Sequence, residues 1–143
     1  MSTINISLKT LMNLAKVQAV ISRRFDRLNI HGIGFSDFMI LYLLQQSVDG
    51  KMRRIDLADR IGLTASGITR MLLPMEKIGL VSREANERDA RVSYVVLTPT
   101  GKQLFEDAKV TAEMLALEII PTERQKKLSP LTDLLAILGG NIS

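Results

Sequence analysis

Hydroxyl and guanidinium side chains are concentrated in one short stretch near the middle of this 143-residue chain. Thr64-Ala65-Ser66-Gly67-Ile68-Thr69-Arg70-Met71 has the pattern of a helix start, with small and hydroxylated side chains first and then a cation. Ser66 and Thr69 can exchange hydrogen bonds with bases or phosphates, and Arg70 can bind a guanine with two hydrogen bonds or hold a phosphate. Gly67 would let the backbone approach a ligand closely. Taken alone, the same residues are better explained as a solvated helix face, and it is the neighbouring elements that favour a role in DNA binding.

Further cations lie on both sides of this stretch: Arg53, Arg54, Arg83, Arg88 and Arg91. The first two suit phosphate contacts, or they are ordinary surface charge. In Asp89-Ala90-Arg91 the carboxylate can hold the arginine in place before it enters a narrow minor groove, whose negative potential attracts arginine. The alternative is a surface ion pair worth about 0–1 kcal/mol.

Two short helices around a glycine turn must position the hydroxyl-rich stretch. Residues 55–61 are amphipathic and are closed by Gly62, with Asp56 as the cap or as an anion in the first turn. Thr64 has the hydroxyl of a helix N-cap, and Gly79 is placed to end that second helix in the left-handed conformation. This spacing predicts a helix-turn-helix.

A β-hairpin is predicted directly after these helices. Residues 80–83 and 92–97 are rich in β-forming side chains, and the polar residues 84–90 between them are too many for a two-residue turn. Ile55 could add a short third strand. Two helices followed by a basic hairpin are typical of a winged helix-turn-helix, in which one helix docks in the DNA major groove and the wing reaches the neighbouring minor groove.

The two chain ends read as apolar helices. Residues 4–28 carry apolar side chains at helical spacing, and Leu14, Val17 and Val20 widen the stripe beyond one core contact. Thr98-Pro99 starts a helix that runs to Pro121, and a last Leu-rich helix is interrupted by Pro130. These ends would bury their surface best in a two-fold dimer, although burial of the first helix within its own domain remains the alternative.

Composition excludes several classes of function. The net charge of +4 permits an anionic partner, while the absence of Cys and the single His exclude disulfides, thiolate catalysis and a histidine metal cluster. The chain has no adjacent nucleophile and base and no phosphate-binding glycine loop, so we expect no enzyme, no metal and no cofactor. No apolar run approaches the ~20 residues that cross a bilayer, and no signal peptide is recognisable, so we expect a cytoplasmic protein without membrane contact.

These patterns predict a mostly α protein with a small β-hairpin wing, of the α+β class. We assign residues 1–34 to a dimerisation helix, residues 35–98 to a winged helix-turn-helix DNA-binding domain, and residues 99–143 to C-terminal dimerisation helices. The alternative function for such a fold is a winged-helix protein-interaction module that binds no DNA.

An ordered set of motifs resembles the MarR family of bacterial transcription regulators: Ile68-Thr69-Arg70, Met75-Glu76-Lys77-Ile78-Gly79-Leu80-Val81-Ser82-Arg83, Asp89-Ala90-Arg91 and Leu97-Thr98-Pro99-Thr100-Gly101. The resemblance covers residues 57–101. The chain departs from the family at Ala90, where a second arginine is common, at Pro74, which should bend the recognition helix, and in its short extent after Ile119.

The resemblance implies a homodimeric, sequence-specific regulator of double-stranded DNA, a repressor that binds a pseudo-palindromic operator and is relieved by a small aromatic or anionic effector. It also implies that Asp89 and Arg91 act as the wing pair and that Ser66, Thr69 and Arg70 contact the DNA. The full predicted DNA-binding set is Arg53, Arg54, Thr64, Ser66, Gly67, Thr69, Arg70, Arg83, Arg88, Asp89 and Arg91. An effector cleft could be lined by Arg24, His31, Phe38, Met39 and Leu43, for which a role in the core is the favoured explanation.

Overall fold

The computed structural model describes residues 3–142. Within this range the α-helices and β-strands follow in the order α1 (Ile6–Arg24), α2 (Phe35–Gln46), β1 (Lys51–Arg53), α3 (Arg54–Ile61), α4 (Ala65–Lys77), β2 (Val81–Ala85), β3 (Ser93–Leu97), α5 (Pro99–Ile119) and α6 (Leu128–Ile137). Short 3₁₀ helices connect α1 to α2, α2 to β1, and α5 to α6. The predicted class, mostly α with a small β wing, is confirmed.

The three strands form one antiparallel sheet in the order β1-β3-β2. Val81 lies opposite Leu97 and Ala85 lies opposite Ser93, so β2 and β3 make the predicted hairpin. A third strand exists, but it is β1, and the prediction that Ile55 belongs to it is wrong. Ile55 is instead the second residue of α3, because the chain turns into a helix directly after Arg53.

One hydrophobic core joins the winged unit to the segments that flank it. From α2 it contains Ile40, Leu41, Leu43 and Leu44, from α3 and α4 Leu57, Ile68, Leu72 and Met75, and from α5 Phe105, Ala108, Ala112 and Leu115. Aromatic stacking adds to the contact between α2 and α5, since the Phe38 and Phe105 ring centroids lie 5.1 Å apart. The helix that follows the wing, α5, therefore packs directly on α2.

Helix ends follow the capping signals closely. The Thr64 hydroxyl accepts a hydrogen bond from the Gly67 amide at 3.1 Å, and the Thr98 hydroxyl accepts one from the Gly101 amide at 2.9 Å. Gly79 follows α4 with a φ of 79°, a left-handed conformation that glycine adopts without steric cost.

Proline has less effect on the helices than the sequence suggests. α4 continues through Pro74 to Lys77, and the amide of Ile78 donates to the Pro74 carbonyl at 3.2 Å. Pro130 is the third residue of α6, and it does not interrupt that helix as predicted. A proline in the first turn removes an amide that has no intrahelical acceptor.

The terminal helices expose apolar surface in the single chain. No residue of α1 or α6 is buried, and Ile6 and Ile137 are 76% and 80% exposed. Exposed apolar residues follow α1 and α6 along their length: Leu8, Leu11, Met12 and Val17 in the first, Leu131 and Leu134 in the second. No helix within residues 3–142 is long and apolar enough to cross a membrane.

Candidate nucleic-acid interface

The outward face of α4 carries the residues that the sequence singled out. Ile68, Leu72 and Met75 point into the core, and this fixes the opposite side of the helix toward solvent. Ser66 and Arg70 are exposed on that side at a spacing of four residues, so they lie one turn apart. The helix begins at Ala65 with Thr64 as its cap, and the Ser66 and Thr64 hydroxyls are 3.3 Å apart.

Arg54 connects the two helices of the helix-turn-helix. It is the first residue of α3, and its guanidinium donates to the Thr69 hydroxyl at 2.9 Å. The same hydroxyl donates to the Ala65 carbonyl one turn earlier, at 3.0 Å. These two bonds fix the side chain of Thr69 and the start of α3 relative to each other.

Arg53 is the last residue of β1, stands at the N-cap position of α3, and is paired with the first turn of that helix. Its guanidinium donates to both carboxylate oxygens of Asp56, at 2.9 and 3.3 Å. The Arg53 hydrogen bonds lower the pKa of the Asp56 carboxyl below its usual value. Asp56 is therefore the anion of the first turn, the second of the two roles that the sequence left open.

The wing loop between β2 and β3 is held in shape by the carboxamide of Asn86 and the carboxylate of Asp89. Asn86 Oδ1 accepts hydrogen bonds from the amides of Arg88 and Asp89, at 2.8 and 3.2 Å. Asp89 Oδ1 in turn accepts from the Arg91 amide at 3.0 Å and from its guanidinium at 3.2 Å. The side chain of Arg91 remains 91% exposed, and its hydrogen bonds lower the pKa of the Asp89 carboxyl.

Arg83 lies apart from the other predicted contacts. Its guanidinium pairs with Glu76 at 2.8 Å, and Glu76 is ten residues beyond Ser66, or about 15 Å along α4. Of the described residues, Arg54, Arg70 and Arg88 form no ion pair, whereas Arg53, Arg83 and Arg91 each pair with a carboxylate.

A cavity of about 220 Å³ brings the three parts of the predicted site together. It lies between the start of α3, the start of α4 and the wing, and it is lined by Arg53, Arg54, Ile55, Ala65, Ile68, Arg91, Val92 and Ser93. Of the predicted DNA-binding residues, Arg53, Arg54 and Arg91 line the cavity, whereas those of α4 and its cap, together with Arg83, Arg88 and Asp89, do not. Three guanidinium groups from separate elements thus border one concave surface, which can accommodate an anionic group such as a phosphate.

Sequence reasoning missed the partners that orient these cations. Glu76 pairs with Arg83, and Asn86 shapes the wing loop and donates to the Tyr94 hydroxyl at 3.2 Å. An Asn at the start of a polar loop is a recognisable signal for a local turn, so the role of Asn86 was within reach. The Arg83–Glu76 pair crosses from strand to helix at no characteristic spacing, and no local pattern points to it.

The residues considered for an effector cleft do not line one common cleft, and among them Arg24 is exposed and Met39 is half-buried. Leu43 is 2% exposed and Phe38 stacks on Phe105, as the core explanation predicts. His31 Nε2 lies 2.8 Å from the Thr111 hydroxyl of α5 and borders an open groove with Pro99, Thr100, Gln103, Leu104 and Asp107. No cluster of His, Asp or Glu suited to a metal ion occurs within residues 3–142.

Comparison with known proteins identifies relatives of this chain. The chain is 29% identical over 133 residues to the uncharacterized HTH-type transcriptional regulator YdgJ of Bacillus subtilis (strain 168), covering 93% of this chain and 79% of YdgJ. It is 26% identical over 136 residues to the HTH-type transcriptional regulator MhqR of the same organism, covering 94% and 92%.

The family and the fold agree with these relatives. The crystal structure of NadR in complex with 4-hydroxyphenylacetate matches with a TM-score of 0.78 at 26% identity and covers 100% of both chains. The sequence model of the MarR family matches residues 36–93, from the first turn of α2 to the first residue of β3. This segment contains the helix-turn-helix, the wing loop and the cavity between them. The MarR family model thus matches the winged unit of this chain, the same part of the sequence in which the resemblance to that family was found.

Proposed function

We propose that the protein is a transcription regulator that binds double-stranded DNA sequence-specifically, with α4 in the major groove and the wing loop at the adjacent minor groove. The observation that carries this proposal is the cavity at which guanidinium groups from α3 and the wing meet the first turn of α4. Phosphates fit such a surface, and the exposed Ser66 and Arg70 then face base edges. The relatives YdgJ and MhqR, named as HTH-type transcriptional regulators, support the same conclusion.

The arginine-rich face argues against a winged-helix module that only binds other proteins. Protein interfaces are depleted of charge at their centre, whereas DNA interfaces are strongly positive. A protein-interaction module has no need for Arg54, Arg70 and Arg88, which form no ion pair within residues 3–142 and of which the last two are exposed.

The working form of the regulator is a homodimer held together by α1, α5 and α6. The exposed apolar residues of α1 and α6 support this assembly, since an isolated chain would leave them in water. Two copies related by a two-fold axis would present two α4 helices to a pseudo-palindromic operator. Sedimentation at micromolar concentration should show a dimer, and a stable monomer would contradict the proposal.

Salt dependence of DNA binding tests the proposal quantitatively. Each phosphate neutralised contributes about −0.9 to the slope of log K against log salt. Among the described residues, Arg54 and Arg88 form no ion pair and are available for phosphates, which gives four such cations in a dimer, so a slope of about −3.6 or steeper is expected. Fluorescence anisotropy with duplexes from the intergenic DNA beside the gene measures it, and a slope near zero would refute DNA binding.

We further propose that the regulator is a cytoplasmic repressor, without enzymatic activity, whose DNA complex is released by a small aromatic or anionic effector. The support is the relative NadR, whose structure holds 4-hydroxyphenylacetate, an aromatic carboxylate. Titration of the protein–DNA complex with aromatic carboxylates and phenols should identify compounds that lower the anisotropy. A regulator without an effector site would give the same anisotropy with every compound of the panel.

A further inference from the structure

The hydroxyl of Thr69 has an unusually complete set of partners for a residue on the DNA-facing side of α4. It donates its proton to the Ala65 carbonyl at 3.0 Å and accepts a hydrogen bond from Arg54 at 2.9 Å. A threonine hydroxyl has one proton and two acceptor lone pairs. With the proton and one lone pair engaged, a single lone pair remains for a ligand.

Arg54 makes this arrangement more than a local helix contact. A threonine that only donates to the carbonyl one turn earlier can rotate and offer its proton elsewhere. The bond from the half-buried Arg54 guanidinium is charge-assisted, and it favours the rotamer in which the Thr69 oxygen faces α3. Ser66 has no such constraint, because its hydroxyl is exposed and lies 3.3 Å from another hydroxyl.

We propose that Arg54 is a positioning residue that makes Thr69 an acceptor-only reader of bases. The inference rests on the proposed DNA-binding function and specifies how one contact of that function is made. In the major groove the hydrogen-bond donors are the amino groups of adenine N6 and cytosine N4. Thr69 therefore recognises an amino group at one position in each half-site. It disfavours guanine and thymine there, because their acceptor atoms would face an oxygen that can only accept.

The same geometry gives Arg54 a second contact. A guanidinium has five N–H donors, and one of them serves Thr69. Arg54 also lines the cavity shared with Arg53 and Arg91, so its remaining donors are available to a backbone phosphate there. One side chain thus connects the phosphate contact to the orientation of the base-reading hydroxyl.

The experiment removes the amino group from the DNA and the hydroxyl from the protein in turn. A tight duplex is first selected from a randomised library with the wild-type protein. Purine then replaces adenine, or 2-pyrimidinone replaces cytosine, at each position of the half-site, which deletes the amino group. The variants are Thr69→Val, which keeps the shape without the hydroxyl, Thr69→Ser, which keeps the hydroxyl, and Arg54→Met.

At one position in each half-site, loss of the amino group should weaken wild-type and Thr69→Ser binding by about 2- to 13-fold, the range for one neutral hydrogen bond. Thr69→Val should be insensitive to the same replacement. Arg54→Met should bind all duplexes more weakly and should also lose part of this sensitivity, because the hydroxyl is free to rotate.

Two results would overturn the inference while leaving the proposed function intact. The first is that Thr69→Val loses as much affinity as the wild type at every amino deletion. It would also be met if the loss of affinity that depends on the Thr69 hydroxyl appeared when 7-deazapurine removed an acceptor instead of when an amino group was removed. In the second, Arg54→Met weakens all duplexes by one common factor, as a simple phosphate contact would. A wild-type protein that selects no sequence would instead refute the proposed function itself.

Discussion

Replacement of Gly101 by alanine should separate the start of α5 from Leu80, which precedes β2. Gly101 is the third residue of α5, and a Cβ there would overlap the Leu80 carbonyl oxygen, lie 2.9 Å from its carbon and 3.0 Å from Leu97 Cδ1. The Leu80 oxygen also accepts from the Thr98 amide at 3.2 Å and from the Thr98 hydroxyl at 3.0 Å. The new methyl group would therefore disturb the contact that holds the start of α5 against Leu80, in the segment between α4 and β2.

The expected cost follows from these contacts. Overpacking against backbone costs about 1–3 kcal/mol, and each disturbed Thr98 hydrogen bond adds about 0.5–1.5 kcal/mol. The higher helix propensity of alanine compared with glycine stabilises the variant by about 1 kcal/mol and offsets part of this cost. A net loss of about 3 kcal/mol is expected, which lowers Tm by about 6–12 °C in a protein near this size.

Gly67→Ala is a matched control for this measurement. Gly67 is likewise the third residue of its helix and donates to the threonine cap, but its added Cβ would meet side-chain atoms and no backbone. These atoms are the Thr64 oxygen at 3.1 Å and Leu63 Cβ and Cδ2 at 3.7 and 3.9 Å. Thermal and urea denaturation at one fixed protein concentration compares the two variants, since a dimer's stability depends on concentration. If Gly101→Ala and Gly67→Ala differ by less than about 0.5 kcal/mol, a spread usual for surface substitutions, the collision with the Leu80 carbonyl is refuted.

Further predictions concern the side chains that we propose to face DNA. Arg70→Ala should cost about 1–3 kcal/mol of binding free energy and relax the base preference at one base pair per half-site. Lys77→Ala, at the other end of α4, should leave the base preference unchanged. If anisotropy finds the same base preferences for both variants, base reading by Arg70 is refuted. Asp89→Ala should weaken specific binding although it removes a negative charge, because Arg91 loses its hydrogen bonds, while Glu87→Ala in the same loop should not; a shared increase in affinity would refute preorganisation. The arginine hydrogen bonds lower the pKa of the Asp56 and Asp89 carboxyls, so the two ionised carboxylates stabilise the folded protein. This contribution is complete above the usual carboxyl pKa range, near pH ~4, and is lost as the pH falls through the lowered pKa values. Urea denaturation should accordingly find Asp56→Asn and Asp89→Asn less stable than wild type at neutral pH and equal to it in strong acid.

Features that depend on neighbours in sequence could be predicted well. Thr64 and Thr98 cap helices because a threonine hydroxyl directly before a helix can accept a hydrogen bond from a first-turn amide that has no acceptor within the helix. The wing pair Asp89–Arg91 was also predictable, since both side chains belong to one short loop. The position of the third strand was not, because three residues between a turn and a helix carry little periodic signal.

Features that depend on how elements dock could not be predicted. The Arg54–Thr69 bond spans fifteen positions and exists only because the α3–α4 turn sets the two helix starts side by side. Arg83 had the same appearance in the sequence as Arg91, yet β2 directs it to Glu76 beside the far end of α4. Arginine type and spacing therefore identified the face of the molecule but not the task of each cation.

The pairing pattern also indicates where the selectivity of this face must originate. Arg53, Arg83 and Arg91 already share their charge with carboxylates, so a phosphate must compete with those anions and gains less from each pair than from a free arginine. Uniform attraction to DNA is thereby reduced, while the geometry of the paired groups is better defined before binding. A surface of this kind gives up non-specific affinity and keeps oriented contacts. On this argument, abolishing the three ion pairs by removing Asp56, Glu76 and Asp89 together should strengthen binding to random duplexes and narrow the margin by which a selected operator is preferred.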